Sequence, residues 1–285
     1  MKLFEQILKD TVLSPVFIGA VGLILICERL FPVNKKQKTF SAGFLQDGIW
    51  VVFALLFQNT VLVIYANAIS TFYKTHLDFL TLSVVGQLPQ LVRVLIGLIV
   101  GDLMAWFQHW LKHRVPWFWE IHAVHHSQKE INLFTDYRFH YAEYLISRPI
   151  VLIPLMILNV DTSKIVAINL LAAWQVRFYH ANIRSNLGLL RYIFVTPQSH
   201  RVHHSIEHRH RDQNFGVVFS FWDRFFKTQY ASCDEYPETG INDSRFPLEK
   251  NKNIFGLLWK PVTQLIYPFR VIAQNLTKNT ANDAR

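Results

Sequence analysis

The sequence predicts an all-α protein, a polytopic membrane helical bundle of about four passes with a histidine-rich helical cap on the cytoplasmic side. Three observations predict it. Of the 285 residues, 51% are hydrophobic, the mean hydropathy is +0.17, and the apolar residues are bunched into runs near membrane length. The basic residues that give a formal charge of +9 flank those runs, as loops on the cytoplasmic side do. Most of the 13 histidines fall in three short clusters at helical spacing: His109 and His113; His122, His125 and His126; His200, His203 and His204.

Val12–Cys27 and its flanks form the first apolar run. Glu28 and Arg29 follow it without a small-residue cleavage pattern, so it reads as an anchor and not as a cleaved signal. Gly48–Ala66 is the second run, despite Gln58 and Asn59. Leu91–Trp106 is the third; Arg93 and Asp102 interrupt it, which suits a helix whose far end enters a polar site. Leu145–Tyr179 is broken at Asn159-Val160-Asp161-Thr162, residues that favour a turn and a helix N-cap. It reads as a hairpin that leaves and re-enters one side, either spanning or re-entrant, since its arms are short. Ile254–Ala273 is amphipathic, equally suited to lying in the membrane interface or packing on the cap, with a kink expected at Pro261. Asn275–Arg285 is polar and expected to fray. The whole, 1–285, reads as one integral membrane domain: membrane helices over 1–108, the histidine region with hairpin 145–179 over 109–230, and a tail with the interfacial helix over 231–285.

Charge sets the expected topology. Lys35, Lys36 and Lys38 between the first two runs, and the Lys- and Arg-rich C-terminal region, belong inside. The second run then exits and the third returns, so His109 and His113 emerge inside. The hairpin brings His180 back to the same face, and Lys74 and His76 fall outside. Trp117 and Trp119 suit a position at the membrane interface. The basic balance fits contact with anionic lipid. No separate basic domain recommends nucleic acid. Cys27 and Cys233 are too few and too far apart in character for a disulfide framework.

The histidines carry the chemistry. Residues at i, i+3 and i+4 share a helix face, so HxxxH and HxxHH aim two or three imidazoles at one point. With His180, the clusters exceed the four ligands of one structural zinc site and point to two metal ions. Imidazole suits iron or zinc, and no thiolate lies in the clusters. Metal-binding histidines give their second nitrogen to a carboxylate, carbonyl or water; Asp102, Glu130, Glu143, Asn182, Asn214 and Asp223 are candidates for that support. Asp102 lies two turns before His109, so it would serve another histidine or form a structural pair, for example with Arg138. His140 either shapes the site or holds Glu143. His208 and His210 read as a solvated loop, and Arg201 as pointing away, towards lipid phosphate or an electron donor.

Several segments carry a resemblance: Asp102 to His109, Trp119 to Ser127, Thr196 to Ser205, Arg138-Phe-His140-Tyr-Ala-Glu143, Phe178 to Asn182, Asp212-Gln-Asn214-Phe-Gly216 and Trp222-Asp223-Arg224-Phe225-Phe226. Over about residues 95–230 and in family order, the chain resembles the fatty acid hydroxylase/sterol desaturase superfamily of membrane di-metal oxidases. It departs at Tyr141, where many relatives have proline, and at Lys227, where glycine is common; neither is a proposed ligand.

The resemblance implies a membrane di-iron oxygenase that uses O2 to hydroxylate a lipid-like substrate: fatty acyl, sterol or related. It implies His109, His113, His122, His125, His126, His180, His200, His203 and His204 as metal ligands, with Asp102, Glu130 and Asn214 in support. It implies two iron ions, with zinc admissible in isolated protein, in a bacterial inner membrane or the endoplasmic reticulum. No GxGxxG, CxxCH or iron–sulfur cysteine pattern is present, so the electrons must come from a separate donor protein or small reductant. A desaturase with the same site is the close alternative. A non-catalytic metal-handling membrane protein is the alternative from another class, and a zinc hydrolase, lacking HExxH, comes third.

Overall fold

The structure is a computed structural model that describes residues 14–57, 61, 63–160, 172–248 and 254–283. Among these residues every regular element is helical, with only isolated β-bridges such as Pro32 to Ile183. In chain order the helices are α1 (Pro15–Leu30), α2 (Ala42–Phe57), α3 (Val63–His76), α4 (Ser83–Gly86), α5 (Gln90–Arg114), α6 (Pro116–His126) and α7 (Tyr141–Ile157). Then come α8 (172–180), α9 (Pro197–His203), α10 (Phe221–Phe225) and α11 (Ile254–Asp283).

Local chemistry explains the boundaries that matter. Ser14 caps α1 by accepting from Phe17 N, with Pro15 in the first turn, where its missing N–H costs nothing. Pro116 opens α6 in the same way. The short α9 is held by a reciprocal capping box between Thr196 and Ser199, with Pro197 behind it. Two prolines, Pro149 and Pro154, lie inside α7. Pro149 leaves the Leu145 carbonyl without its helical donor, and the Tyr65 hydroxyl of α3 donates to that oxygen at 2.8 Å.

Among the described residues one helix, α5, is both long and apolar enough to cross a membrane; a shorter apolar stretch covers Ala42–Leu55. The 25 residues of α5 extend about 37 Å at 1.5 Å each. That exceeds a hydrocarbon core of about 30 Å and leaves its last turns, with His109 and His113, to project beyond one. The run expected over 48–66 falls on α2 and α3, with 58–60 and 62 outside the described residues. Of the hairpin expected over 145–179, α7 and α8 are the two arms. Asn159 sits at φ 50° in the turn after α7, and Asp161 and Thr162 lie outside the described residues.

Helix α5 packs along α6 and α7, α3 packs on α7, and α11 lies across α2 and α6. The main core joins Trp50 and Ala54 of α2, Ala123 and Val124 of α6, Phe139, and Tyr267 and Val271 of α11. A smaller core joins Ile24 of α1 and Phe44 of α2 to Leu133, Ala181 and Ile183. The tail differs from expectation in one way. Helix α11, which contains both Pro261 and Pro268, continues past Asn275 to Asp283. One face of it packs, through Leu257, Gln264 and Tyr267, while Trp259, Phe269 and Leu276 are exposed.

One polar node lies inside this apolar frame. Asp47 of α2 and Arg138 are both fully buried, and Arg138 Nε donates to Asp47 Oδ1 at 2.7 Å. The second Asp47 oxygen accepts from Gln128, Asn132 and Thr135. Arg138 also donates to Gln46, Ser127 and Gln264. The pairing of Arg138 with Asp102 considered from sequence is therefore replaced by a pairing with Asp47. Removing one partner of a buried ion pair leaves a bare charge, costing roughly 3–5 kcal/mol. Asp47→Ala is expected to lower the unfolding free energy of the purified protein by that amount, read as a fall in the thermal or denaturant midpoint.

Candidate metal centre

Helical geometry sorts the histidines. At about 100° per residue, positions i and i+4 of HxxHH point one way and i+3 points to the side. In α6, His122 and His126 join His109 and His113 of α5, while His125 turns to the second group. In α9 and its cap, His200 and His204 join that second group and His203 crosses to the first. The first group is His109, His113, His122, His126 and His203; the second is His125, His180, His200 and His204. In each, one ligand-capable atom per residue lies within 4.8 Å of all the others. The two groups adjoin, since the His126 and His204 rings stack at 4.3 Å between centroids.

The far side of five of the nine rings is tied down, in four cases by backbone. The Nδ1–H of His109 donates to the Phe215 carbonyl, that of His125 to Arg138, that of His180 to Val176 and that of His203 to Gln213. His122 donates to Glu143 Oε2 at 3.0 Å. A proton fixed on Nδ1 leaves the Nε2 lone pair free to point inward. In the first group the Nε2 atoms of His113, His122, His126 and His203 are buried with no hydrogen-bond partner. In the second, Nε2 atoms face one another: His180 to His200 at 2.8 Å, His200 to His204 at 3.0 Å and His125 to His180 at 3.3 Å. Nine imidazoles converging in this way, four of them with a buried, unpartnered Nε2, fit a cation better than any protein partner.

Electrostatics agree. Burial pushes His203 down to about 3 and His180 down to about 4, and it holds His125, His126, His200 and His204 well below the ordinary histidine value. All are neutral at neutral pH, the form in which an imidazole can bind a metal. Burial alone would raise the Glu143 carboxyl. Lys112, 2.7 Å from Oε1, and His122 outweigh it and hold Glu143 ionised.

The loop after the third cluster forms the floor. Asp223 accepts from the N–H groups of Phe215 and Gly216, from Trp106 Nε1 and from Thr228. It thereby aims the Phe215 carbonyl at His109. A Cβ on Gly216 would meet Asp223 Oδ2, Phe219 O and Val195 at 2.9 Å each, so only glycine lets the carboxylate approach.

Residues 94–228 match the sequence profile of the fatty acid hydroxylase family. An ornithine lipid hydroxylase of Rhizobium tropici is 26% identical over 219 residues, covering 75% of this chain and 65% of that protein. Human alkylglycerol monooxygenase is 34% identical over 135 residues, 46% of this chain and 28% of that protein. The profile match and these relatives support a place for residues 94–228 in the fatty acid hydroxylase/sterol desaturase superfamily. A cholesterol 25-hydroxylase-like protein of Danio rerio is 24% identical over 186 residues, 63% of this chain and 72% of that protein. The chain thus spans under two thirds of the Rhizobium relative and under a third of the human one. No solved structure matches it significantly.

All nine histidines singled out from sequence come together. The supporting residues do not fall as expected. Asp102 reaches no histidine; its carboxylate accepts from Val218 N, Phe219 N and Trp222 Nε1 and so pins the floor loop to α5. Glu130 takes part through its backbone, beside Gln128 and Asn132. Asn214 donates to Ser199 O and accepts from Tyr230 N, holding α9 from below. Asn182 ties to Asn34. His140 caps α7 by accepting from Ala142 N, and its other nitrogen meets the Leu265 carbonyl of α11; it does not hold Glu143. His210 is not solvated but buried between Ser205 and Glu235. Arg201 is buried and donates to Pro237 O; it does not point out to lipid. Lys112, which sequence reasoning passed over, carries its own signal, a basic residue on α5 between two site histidines.

The Lys112–Glu143 pair is expected to show the asymmetry of a buried ion pair. Glu143→Ala should cost about 3 kcal/mol of stability. Adding Lys112→Met should restore most of that loss, as measured by denaturant unfolding of both variants.

Proposed function

We propose that this chain is an O2-dependent membrane di-iron oxygenase that hydroxylates a lipid. The observation that carries the reading is the pair of adjoining, buried histidine groups whose imidazoles converge, the Nε2 atoms of His113, His122, His126 and His203 having no protein partner. His109, His113, His122, His126 and His203 would hold one ion, and His125, His180, His200 and His204 the other. The lipid-modifying names of the relatives supply the substrate class. Two ions so held would supply O2 binding and an oxidant strong enough for an unactivated C–H bond, which zinc, having no redox chemistry, would not.

The balance is R–H plus O2, two electrons and two protons giving R–OH and water, with the electrons from an external donor. The chain's own residues do the rest. The backbone carbonyls and Glu143 fix ring orientation, and burial keeps bulk water out. A polar cavity of about 520 Å³ beside His113, His126 and His203, with Trp119, Arg211 and Arg245 in its wall, would admit O2 and reductant.

Membrane residence is supported by large apolar side chains left exposed along the helices: Val16, Leu23 and Ile26 on α1, Ile64 on α3, and Leu91 and Leu95 on α5. Four passes, counting the hairpin, with the histidines on the cytoplasmic side, are supported by the loop that carries the lysines. Asn34 bonds Asn182, and Gln37 donates to the Ile131 carbonyl, so this loop shares the histidine end. The 77–88 connection meets the other end of α7 through Leu82 N and Ile157 O. Cysteines placed at Lys36 and Arg209 should label from one side of the membrane and one at Lys74 from the other; labelling of all three from one side overturns the topology.

Purified protein should hold about two metal ions per chain, and His122→Ala and His200→Ala should each lower that content. Glu143→Gln should weaken metal affinity about 10- to 100-fold. Cells expressing the protein should accumulate a lipid heavier by one oxygen, absent with His203→Ala. An unchanged lipidome with full metal occupancy and a competent donor would sink the oxygenase reading.

A further inference from the structure

A second cavity, of about 510 Å³, runs between α5 and α7 beside α8 and the floor loop. It is graded along its length. At the histidine end its wall holds Gln108, Lys112, Ser147 and Arg148; further along it holds Gly97, Leu98, Gly101, Val151 and Leu155. From residue 97 to residue 112 α5 rises about 22 Å, a length suited to an extended acyl chain. The polar end is one ion pair away from the histidines, since Glu143 meets Lys112 through one oxygen and His122 through the other.

The polar half is incompletely partnered. Gln108 Oε1 and Ser147 Oγ are buried without a hydrogen bond. Arg148 has no hydrogen bond or ion pair to any described residue; its guanidinium lies over the Tyr144 ring, 4.0 Å from the centroid. That contact turns the side chain back along α7 towards the histidine end. An arginine in an apolar helix is costly, and it is retained where it meets a ligand or a partner. Buried polar atoms without partners are rare in finished structures. Two of them beside Arg148 mark one end of the slot as the place of a polar ligand group. The carboxylates in the same wall are already engaged, Glu143 by Lys112 and His122 and Asp102 by the floor loop, so the charge of Arg148 and its fork of donors select an anion.

We propose that this cavity binds the lipid substrate by an anionic group, a carboxylate or a phosphate, held by Arg148 with Ser147 and Gln108, while the acyl chain runs over Gly97, Gly101 and Leu155 away from the histidines. Arg148 is then a specificity-determining residue, and the inference rests on the oxygenase reading for the lipid's role as substrate.

The test is direct binding to the purified, metal-loaded protein of three probes with one tail: hexadecanoate, hexadecyl phosphate and hexadecanol. At least one anion should bind about tenfold tighter than the alcohol, the scale of one charged hydrogen bond. Preference for hexadecanoate assigns a carboxylate lipid, and preference for hexadecyl phosphate a phospholipid. Arg148→Gln should erase the preference while leaving alcohol binding unchanged, and Arg148→Lys should keep part of it. A Cβ on Gly101 meets Leu155 only at 3.8 Å, so Gly101→Leu folds into the slot and should weaken all three probes alike. Equal binding of alcohol and both anions by the unmutated protein overturns the proposal, even if Arg148→Gln fails to fold. So does a preference that survives Arg148→Gln. Metal content and oxidised lipid are read on the same preparation, so absence of an anion preference in the unmutated protein with both intact defeats this inference alone.

Discussion

The buried pair of Asp47 and Arg138 is the constraint on which the histidine region depends. Both side chains are out of water, where a lone charge is intolerable, and every oxygen of Asp47 is used. The pair joins α2 to the segment between α6 and α7 and, through Gln264, to α11. The same Arg138 offers its carbonyl to His125 Nδ1. Orientation of an imidazole in the second group thus rests on an aspartate of α2, far away in sequence. Such a network is costly to assemble and gives one arrangement of the elements that meet there.

Around that node, responsibility for the rings is divided. Five of the nine histidines have Nδ1 tied to a defined acceptor, and four of those acceptors are backbone carbonyls. A carbonyl in a fixed loop cannot change rotamer, so ring direction follows from backbone shape. The carboxylates act one step further out. Asp223 and Asp102 bind the N–H groups of 215–219 and hold the loop whose carbonyl meets His109. The left-handed backbone at Asp212 and Asn214 and the close approach at Gly216 belong to the same loop, which explains its concentration of Asp, Asn and Gly.

Helix α5 is a wall shared by the two parts of the site. Its last turns present His109 and His113 to the first histidine group, and Lys112, between them, turns to Glu143 and the apolar cavity. Its middle supplies Asp102 to the floor loop and Trp106 to Asp223, and its earlier turns supply Gly97 and Gly101 to the slot. A change in the position of α5 would alter the histidine group, the floor and the cavity together.

The helices, the break at Asn159 and the nine histidines were legible in the sequence, because apolar runs, turn residues and HxxxH or HxxHH spacing are local patterns that a helix turns directly into faces. The division of those histidines into two groups was decided by the tertiary structure, since it depends on how α6 and α9 face each other. So were the partners of the polar residues. Asp102 reads as a histidine's support and serves a loop; His140 reads as a site residue and caps α7; His210 and Arg201 read as exposed and are buried. Hydrogen bonds across a hundred residues leave no spacing to read, and backbone carbonyls, which hold four of the rings, leave no residue type at all. The sequence by itself determined which side chains are available to a metal. Only the folded chain decided where each imidazole points, because that is set by long-range backbone contacts and by the burial of Asp47 with Arg138.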